Sequence, residues 1–413
     1  MEREKRKKNE YGVDFYQRAP YNARMRMVET YFIKTFGCQQ NVADSERLES
    51  YYASRGFMRA KALEEADVLI LNTCVIRDRA EEKVYGMIKS LRTKLKNKSP
   101  RMVVTGCLVG AAARVPGGKM MKRLTSRLPD VEFLPIEDVG FEYMPQRAKG
   151  KMASIVISNG CNNYCAFCIV PFSRGPERSR PFADILEEAK QAVSAGYTEV
   201  LLLGQNVNSY GADFLVEKIN EGEEYVLPDG ALLKPVMVKH LGRHRIPTLF
   251  PHLLERVAQT AGVKKVSFIS ANPWDFSDEL IDVIARHENI DRTLHLPVQA
   301  GSDAVLKRMN RWYTRAEYLA LIDKIRARVS GVEFTTDIIV GFPGETVAQF
   351  EESISLAKRV DFAKTFIAWY SPRPGTAATK VMKDDIPIME KKRRYTELDA
   401  VTYKGKRLYR GKK

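Results

Sequence analysis

Cys161, Cys165 and Cys168 stand in a C-x3-C-x2-C spacing within SNGCNNYCAFCIVPFSRGPERSR, residues Ser158 to Arg180. Three thiolates this close can take three corners of one iron–sulfur cube from a single loop. A four-iron cluster takes four ligands, normally four cysteines, and no cysteine follows Cys168. One iron is thereby left open for a ligand that is not a cysteine. A structural zinc site is the alternative, but it closes four positions with paired C-x2-C or Cys/His ligands. Here there is one C-x2-C and no histidine before His240.

The remaining cysteines, Cys38, Cys74 and Cys107, lie 36 and 33 residues apart. Each follows a stretch with strand character: Tyr31–Thr35, Asp67–Asn72 (DVLILN) and Arg101–Thr105 (RMVVT). Helical patterns fall between them, at Asn41–Arg55, with Asn41 or Asp44 expected near the cap, and at Asp78–Lys96. Val131–Leu134 is read as a fourth strand. Such alternation predicts an open parallel α/β sheet. In a parallel sheet the C-terminal strand ends share one edge, where ligands bind. A lone cysteine after a strand is usually a small buried hydrophobe. Three in register, two of them preceded by glycine, predict a second three-thiolate cluster.

From Ala153 the alternation restarts. Strands are expected at Ala153–Ser158, Thr198–Leu203, Lys265–Ile269, Thr293–Leu296, Glu333–Val340 and Lys364–Trp369, with helices between them. This predicts an incomplete or full TIM-like (β/α) barrel, whose active site lies at the C-terminal strand ends. The cysteine loop follows the first strand and so lies at that end. Small polar segments end the other strands, and a cavity for cofactor and substrate is expected among them. Gln205, Asn206, Ser270, Asn272, Gln299 and Asp337 are the candidate polar contacts there, and Gly341 would allow close backbone approach. His295 reads equally as a core histidine or as a ligand or base.

The chain has 413 residues and a formal net charge of +16, which favours a polyanionic partner such as nucleic acid. Its divisions are read as a disordered basic tail over 1–28, an α/β domain over 29–147, a barrel over 148–385 with a polar surface insertion at 211–247, and a basic tail over 386–413. Clustered cysteines fit metal ligation in a reducing cytosol better than disulfides. Neither a signal peptide nor a run of 18 apolar residues occurs, so a cytoplasmic chain without a membrane partner is expected.

FGCQQN, LNTCVIRDRAEEKVYG, TGC, CNNYCAFCIVPFSRGPERSRP, GQNVNSYG, WDFSDELI, HLPVQAGSD, TDIIVGFPGET and YSPRPGTAA occur in that order. The set resembles the radical S-adenosylmethionine (SAM) methylthiotransferases, and within them the tRNA 2-methylthioadenosine synthases (the MiaB type). The resemblance covers about Tyr31 to Thr379. It implies an auxiliary 4Fe-4S cluster on Cys38, Cys74 and Cys107 and a catalytic, SAM-binding 4Fe-4S cluster on Cys161, Cys165 and Cys168. It also implies a tRNA substrate, N6-isopentenyl-adenosine beside the anticodon, together with an electron-donor protein and a sulfur donor acting on a monomer. The resembled family ends in a small RNA-binding TRAM barrel, and this sequence stops where that barrel would begin. Lys391–Lys413 is therefore expected to take part of its role, with Tyr395, Tyr403 and Tyr409 among the charges. Arg174, Arg178 and Arg180 are expected to meet tRNA phosphates or SAM, or else to form surface salt bridges. Rival readings are methylthiolation of threonylcarbamoyl-adenosine or of a ribosomal protein, and a non-catalytic iron–sulfur RNA-binding protein.

Overall fold

The computed structural model describes residues 28–75, 80–95, 98–215, 224–227, 230–240 and 244–403, with the backbone of two paired dipeptide strands, Lys7–Lys8 and Asp14–Phe15. Most of the expected N-terminal tail, and the basic residues 404–413, lie outside the described residues. The chain divides into two compact units. One comprises residues 1–148 and 169–175; the other comprises 149–168 and 176–413.

The first unit is a parallel sheet built from β1 (Thr30–Thr35), β2 (Met58–Arg59), β3 (Val68–Thr73), β4 (Arg101–Gly106) and β5 (Val131–Leu134), in the order β2-β1-β3-β4-β5. β3 is buried along its whole length, as the apolar run VLILNT demands of a central parallel strand. Helices α1 (Gln39–Ala53), α2 (Ala80–Lys94), α3 (Cys107–Arg114) and α4 (Lys119–Arg127) connect the strands. The short helix α5 (Val170–Arg174) belongs to this unit and packs on α3. Gly110 makes that packing possible, because a Cβ there would stand 2.1 Å from the Ser173 carbonyl oxygen. Neither α3 nor α4 was expected from the sequence. The first begins on a cysteine with no polar cap, and the second follows two glycines of positive φ.

The second unit carries β6 (Met152–Val156), α6 (Phe182–Ser194), β7 (Glu199–Leu203), β8 (Val236–His240), β9 (His244–Thr248), α7 (Phe250–Ala258), β10 (Lys265–Phe268), α8 (Asp278–Arg286) and β11 (Thr293–His295). It continues through α9 (Asp303–Arg308), α10 (Arg315–Arg328), β12 (Glu333–Val340), α11 (Val347–Val360), β13 (Lys364–Trp369) and α12 (Ile388–Thr402). Among the described residues six barrel strands form two parallel three-stranded sheets, β10-β7-β6 and β11-β12-β13, and Val266 of β10 bridges Ile290, which precedes β11. Among the described residues the barrel thus has the incomplete form. Along β12, Phe334, Thr336, Ile338 and Val340 are buried, and Thr335, Asp337 and Ile339 alternate to the half-open face.

Two sequence readings are corrected. The stretch 211–247 is not a wholly polar surface insertion: β8 and β9 form an antiparallel ribbon, and Val236 and Val238 are buried. Likewise, 388–402 is not a free basic tail. It is α12, packed on β13 and α11, with Leu398 fully buried and Lys391 and Arg394 only 3 % and 4 % exposed. Lys391 Nζ donates to the Tyr370 carbonyl, and Arg394 pairs with Glu345 at 2.7 Å. The amphipathic pattern was hidden because basic residues themselves form the inward face.

Candidate metal centres and cofactor pocket

In the second unit the cysteine loop leaves β6 through a short antiparallel pairing of Ser158–Asn159 with Arg178–Ser179. Backbone bonds then pin it: Ala166 N–H donates to Met309 O, Ala378 N–H to Ala166 O, and Cys168 N–H to Cys165 O. Tyr164 takes a positive φ of 46°, and its carbonyl accepts from Asn310 Nδ2 at 3.0 Å. A non-glycine residue held there costs strain that the surrounding bonds must overcome, a trait of functional loops. Cys161 is buried, and Cys165 and Cys168 are half-buried. Burial first, then the Glu177 carboxyl and the neighbouring Cys168 and Cys165, push the Cys161 thiol well above its ordinary range. Among the described residues no three His, Cys, Asp or Glu side chains converge as ligands of one ion would. Three cysteines on one loop are the donor type that holds an iron–sulfur cluster.

The strand ends around this loop carry a connected polar network. Asn206 Nδ2 donates to Asp275 Oδ2 at 2.7 Å, and Asn206 Oδ1 accepts from Asn272 Nδ2 at 3.0 Å. Asn208 brackets the Asn272 backbone, with its amide group bonding both N–H and C=O at 2.8 Å. The amides of Asn206 and Asn272 are thus engaged with protein groups, and both residues are buried. Ser270 and Gln299 adopt positive φ of 67° and 71°, which places two more candidates in strained conformations at strand ends. Gln299 continues the β12 ladder, its N–H donating to Asp337 O and its C=O accepting from Ile339 N–H. Asp337 pairs with His295 at 3.3 Å, and His295 Nδ1 meets Thr335 Oγ1 at 3.0 Å. His295 is therefore not a core histidine but part of a half-buried pair on the open face of β11 and β12.

Gly341 is placed differently from expectation. A Cβ there would stand 2.5 Å from Lys391 Cγ, so its missing side chain makes room for α12. Two of the three expected phosphate-facing arginines are also buried. Arg174 pairs with Asp44 and Arg180 with Glu188, and only Arg178 is exposed.

Arg311 was not anticipated. It lies in the turn between α9 and α10, where the sequence MNRWY shows only a basic residue among aromatics. Its guanidinium donates to Cys165 Sγ at 3.5 Å, Asn272 Oδ1 at 2.8 Å and Pro297 O at 3.0 Å. It also lies 4.4 Å from the Trp274 ring centroid. Ser158 Oγ, Asn163 Oδ1 and Gln205 Oε1 are buried and have no hydrogen-bond partner among the described residues. Buried acceptors of this kind seek a donor, and the amino N–H groups of SAM are such donors. The residues present therefore fit both a cluster and SAM.

The first unit holds the other three cysteines. Cys38, Cys74 and Cys107 follow β1, β3 and β4, which are neighbours in the sheet. Cys38 itself caps α1, and Asn41, expected as a cap, supplies the return bond. Gly37 and Gly106 have positive φ and no room for a side chain: a Cβ would meet Asn41 Oδ1 at 2.4 Å and Thr73 O at 2.4 Å, respectively. Asn41 and Asn72 lock the floor, with Asn41 Nδ2 donating to Asn72 Oδ1 at 3.1 Å and Asn72 Nδ2 to Asn41 O at 2.8 Å. A hydrogen bond with Cys74, then burial, pushes Cys107 well above the ordinary thiol range, while Arg174 opposes this. Asp44 is fully buried between Arg47 at 2.8 Å and Arg174 at 2.7 Å. Burial works against the charged form of Arg174, and Asp44, Cys107 and Cys38 outweigh it. A cation thus faces thiols that would bind iron as anions, and this donor set also fits a cluster.

Comparison with known proteins gives the chain its relatives. Residues 155–357 match the family described as the radical SAM superfamily, and residues 30–122 match the uncharacterized protein family UPF0004. A tRNA-2-methylthio-N(6)-dimethylallyladenosine synthase of Thermotoga petrophila is 40 % identical over 382 residues, covering 88 % of this chain and 79 % of the relative. One so named from Clostridium botulinum (strain Okra) is 38 % identical over 410 residues, covering 92 % and 84 %. Among solved structures, the radical S-adenosylmethionine methyltransferase TsrM of Kitasatospora setae shares the fold. Its TM-score is 0.56 at 13 % identity, over 86 % of this chain and 77 % of that one. The two cysteine triads, the incomplete barrel and this extent of identity place the chain in the family of the tRNA-2-methylthio-N(6)-dimethylallyladenosine synthases, within the radical SAM enzymes.

Proposed function

We propose that this protein adds a methylthio group to C2 of N6-dimethylallyl-adenosine beside the anticodon of tRNA. The observation that carries the reading is the identity to enzymes of that name along most of the chain, with both cysteine triads in place. Cys161, Cys165 and Cys168 would hold the SAM-binding cluster, and Cys38, Cys74 and Cys107 the auxiliary one. Bound together, the cluster on Cys161, Cys165 and Cys168 and SAM would supply one-electron cleavage of the cofactor and removal of a hydrogen atom from an unactivated C–H bond. The protein's part is placement and shielding. Ser158, Asn163 and Gln205 offer buried acceptors to the cofactor. The Asn206–Asn272–Asp275 network fixes the strand ends that flank it. His295, Asp337 and Phe366 line the half-open strand face on which a base would lie. An electron-donor protein and a sulfur donor complete the reaction, and the chain acts as a monomer in the cytoplasm. The test is mass spectrometry of tRNA nucleosides from cells with and without the gene. Loss of the methylthio form with build-up of the dimethylallyl form supports the reading; loss of a methylthiolated threonylcarbamoyl-adenosine instead overturns it.

A further inference from the structure

Arg311 is 6 % exposed, yet no carboxylate pairs with it among the described residues. A buried charge without an ionic partner is costly, so buried cations are found beside anions. The neutral oxygens of Asn272, Pro297 and Tyr313 fix the direction of the guanidinium. Trp274, at 4.4 Å, and Tyr313, at 5.2 Å from their ring centroids, bracket it. The one bonded atom that becomes an anion on binding iron is Cys165 Sγ.

We propose that Arg311 is a positioning residue for the SAM-binding cluster, acting as the built-in counter-cation of the Cys165 thiolate and raising the potential at which that cluster accepts its electron. The inference rests on the reading that Cys161, Cys165 and Cys168 hold a four-iron cluster. Reduction adds one electron to that cluster, and no bond in the protein forms or breaks. Negative charge on the cluster sulfurs grows, and a fixed cation hydrogen-bonded to one of them favours the reduced form. Hydrogen bonds to sulfur and burial are known controls of such potentials. The low-dielectric surroundings increase the effect.

The experiment uses the full chain with Cys38, Cys74 and Cys107 replaced by Ala, so that one cluster remains. Iron content is measured, and the midpoint potential is followed by electron paramagnetic resonance during titration with a low-potential chemical reductant. Arg311→Met is expected to shift the reduction equilibrium at least tenfold toward the oxidised form, about 59 mV for one electron. Arg311→Lys, which keeps the charge, and Arg311→Gln, which keeps a donor, are expected to fall between. A merely structural role would lower iron content without moving the potential of the loaded fraction. Equal midpoints in loaded parent, Met, Lys and Gln forms would overturn the proposal alone. A parent that binds no iron would overturn both the proposal and the cluster assignment.

Discussion

Asp44 shows how single residues set the auxiliary site. Its carboxylate is fully buried and bonds both Arg47 and Arg174, and Arg174 in turn faces Cys38 and Cys107. Removing one member of a buried ion pair costs about 3–5 kcal/mol, because the partner charge stays behind. Asp44→Asn leaves two guanidinium groups, so its cost should lie at the upper end of that range and exceed that of Arg174→Met. Chemical denaturation of the iron-free protein measures both; equal stability of wild type and Asp44→Asn would deny the pair any structural role. The sequence displayed Asp44 as a possible cap and Arg174 as a contact to tRNA phosphates or SAM, or else a surface salt bridge. The two lie 130 residues apart, so their partnership was beyond any local pattern.

Helix α12 makes the same point for an element. Glu390 opens it and is held down to about 2, from an ordinary 4.5, by hydrogen bonds from Arg393 and Arg394. A carboxyl with a depressed folded value stabilises the fold above its unfolded value and loses that contribution as pH falls through the folded one. Stability should therefore drop between about pH 4.5 and pH 2 more steeply in wild type than in Glu390→Gln. Parallel acid-unfolding curves for the two would refute the pairing. A chain stopped after Glu390 would also lose Leu398 and the Arg394–Glu345 bridge from the barrel wall, so it is not a neutral probe of RNA binding. Most strands were legible from alternation, and Val131–Leu134, Glu333–Val340 and Lys364–Trp369 fall where expected. Elements whose inward face is basic (α12), whose start is uncapped (α3), or whose close packing depends on a distant glycine (α5 on α3 through Gly110) gave no periodic signal. Arg311 escaped notice for a related reason: its partners come from Cys165, Asn272 and Pro297, brought together only by the barrel.

At the scale of the molecule, the six cysteines divide between the two units, three in each. Separate jobs follow from that division. Cys165→Ala should abolish reductive cleavage of SAM. Cys74→Ala should keep part of that cleavage yet lose methylthiolation, and a Cys74→Ala protein with unchanged iron and unchanged product would remove the auxiliary cluster from the account. The most direct test of the whole reading is one reaction: reconstituted full-length protein, a low-potential reductant and SAM, offered tRNA with and without N6-dimethylallyl-adenosine. The account predicts a methylthio group on the dimethylallyl form alone, accompanied by SAM cleavage. Cleavage of SAM with both tRNAs left unchanged, or methylthiolation of threonylcarbamoyl-adenosine in place of the dimethylallyl base, would contradict it.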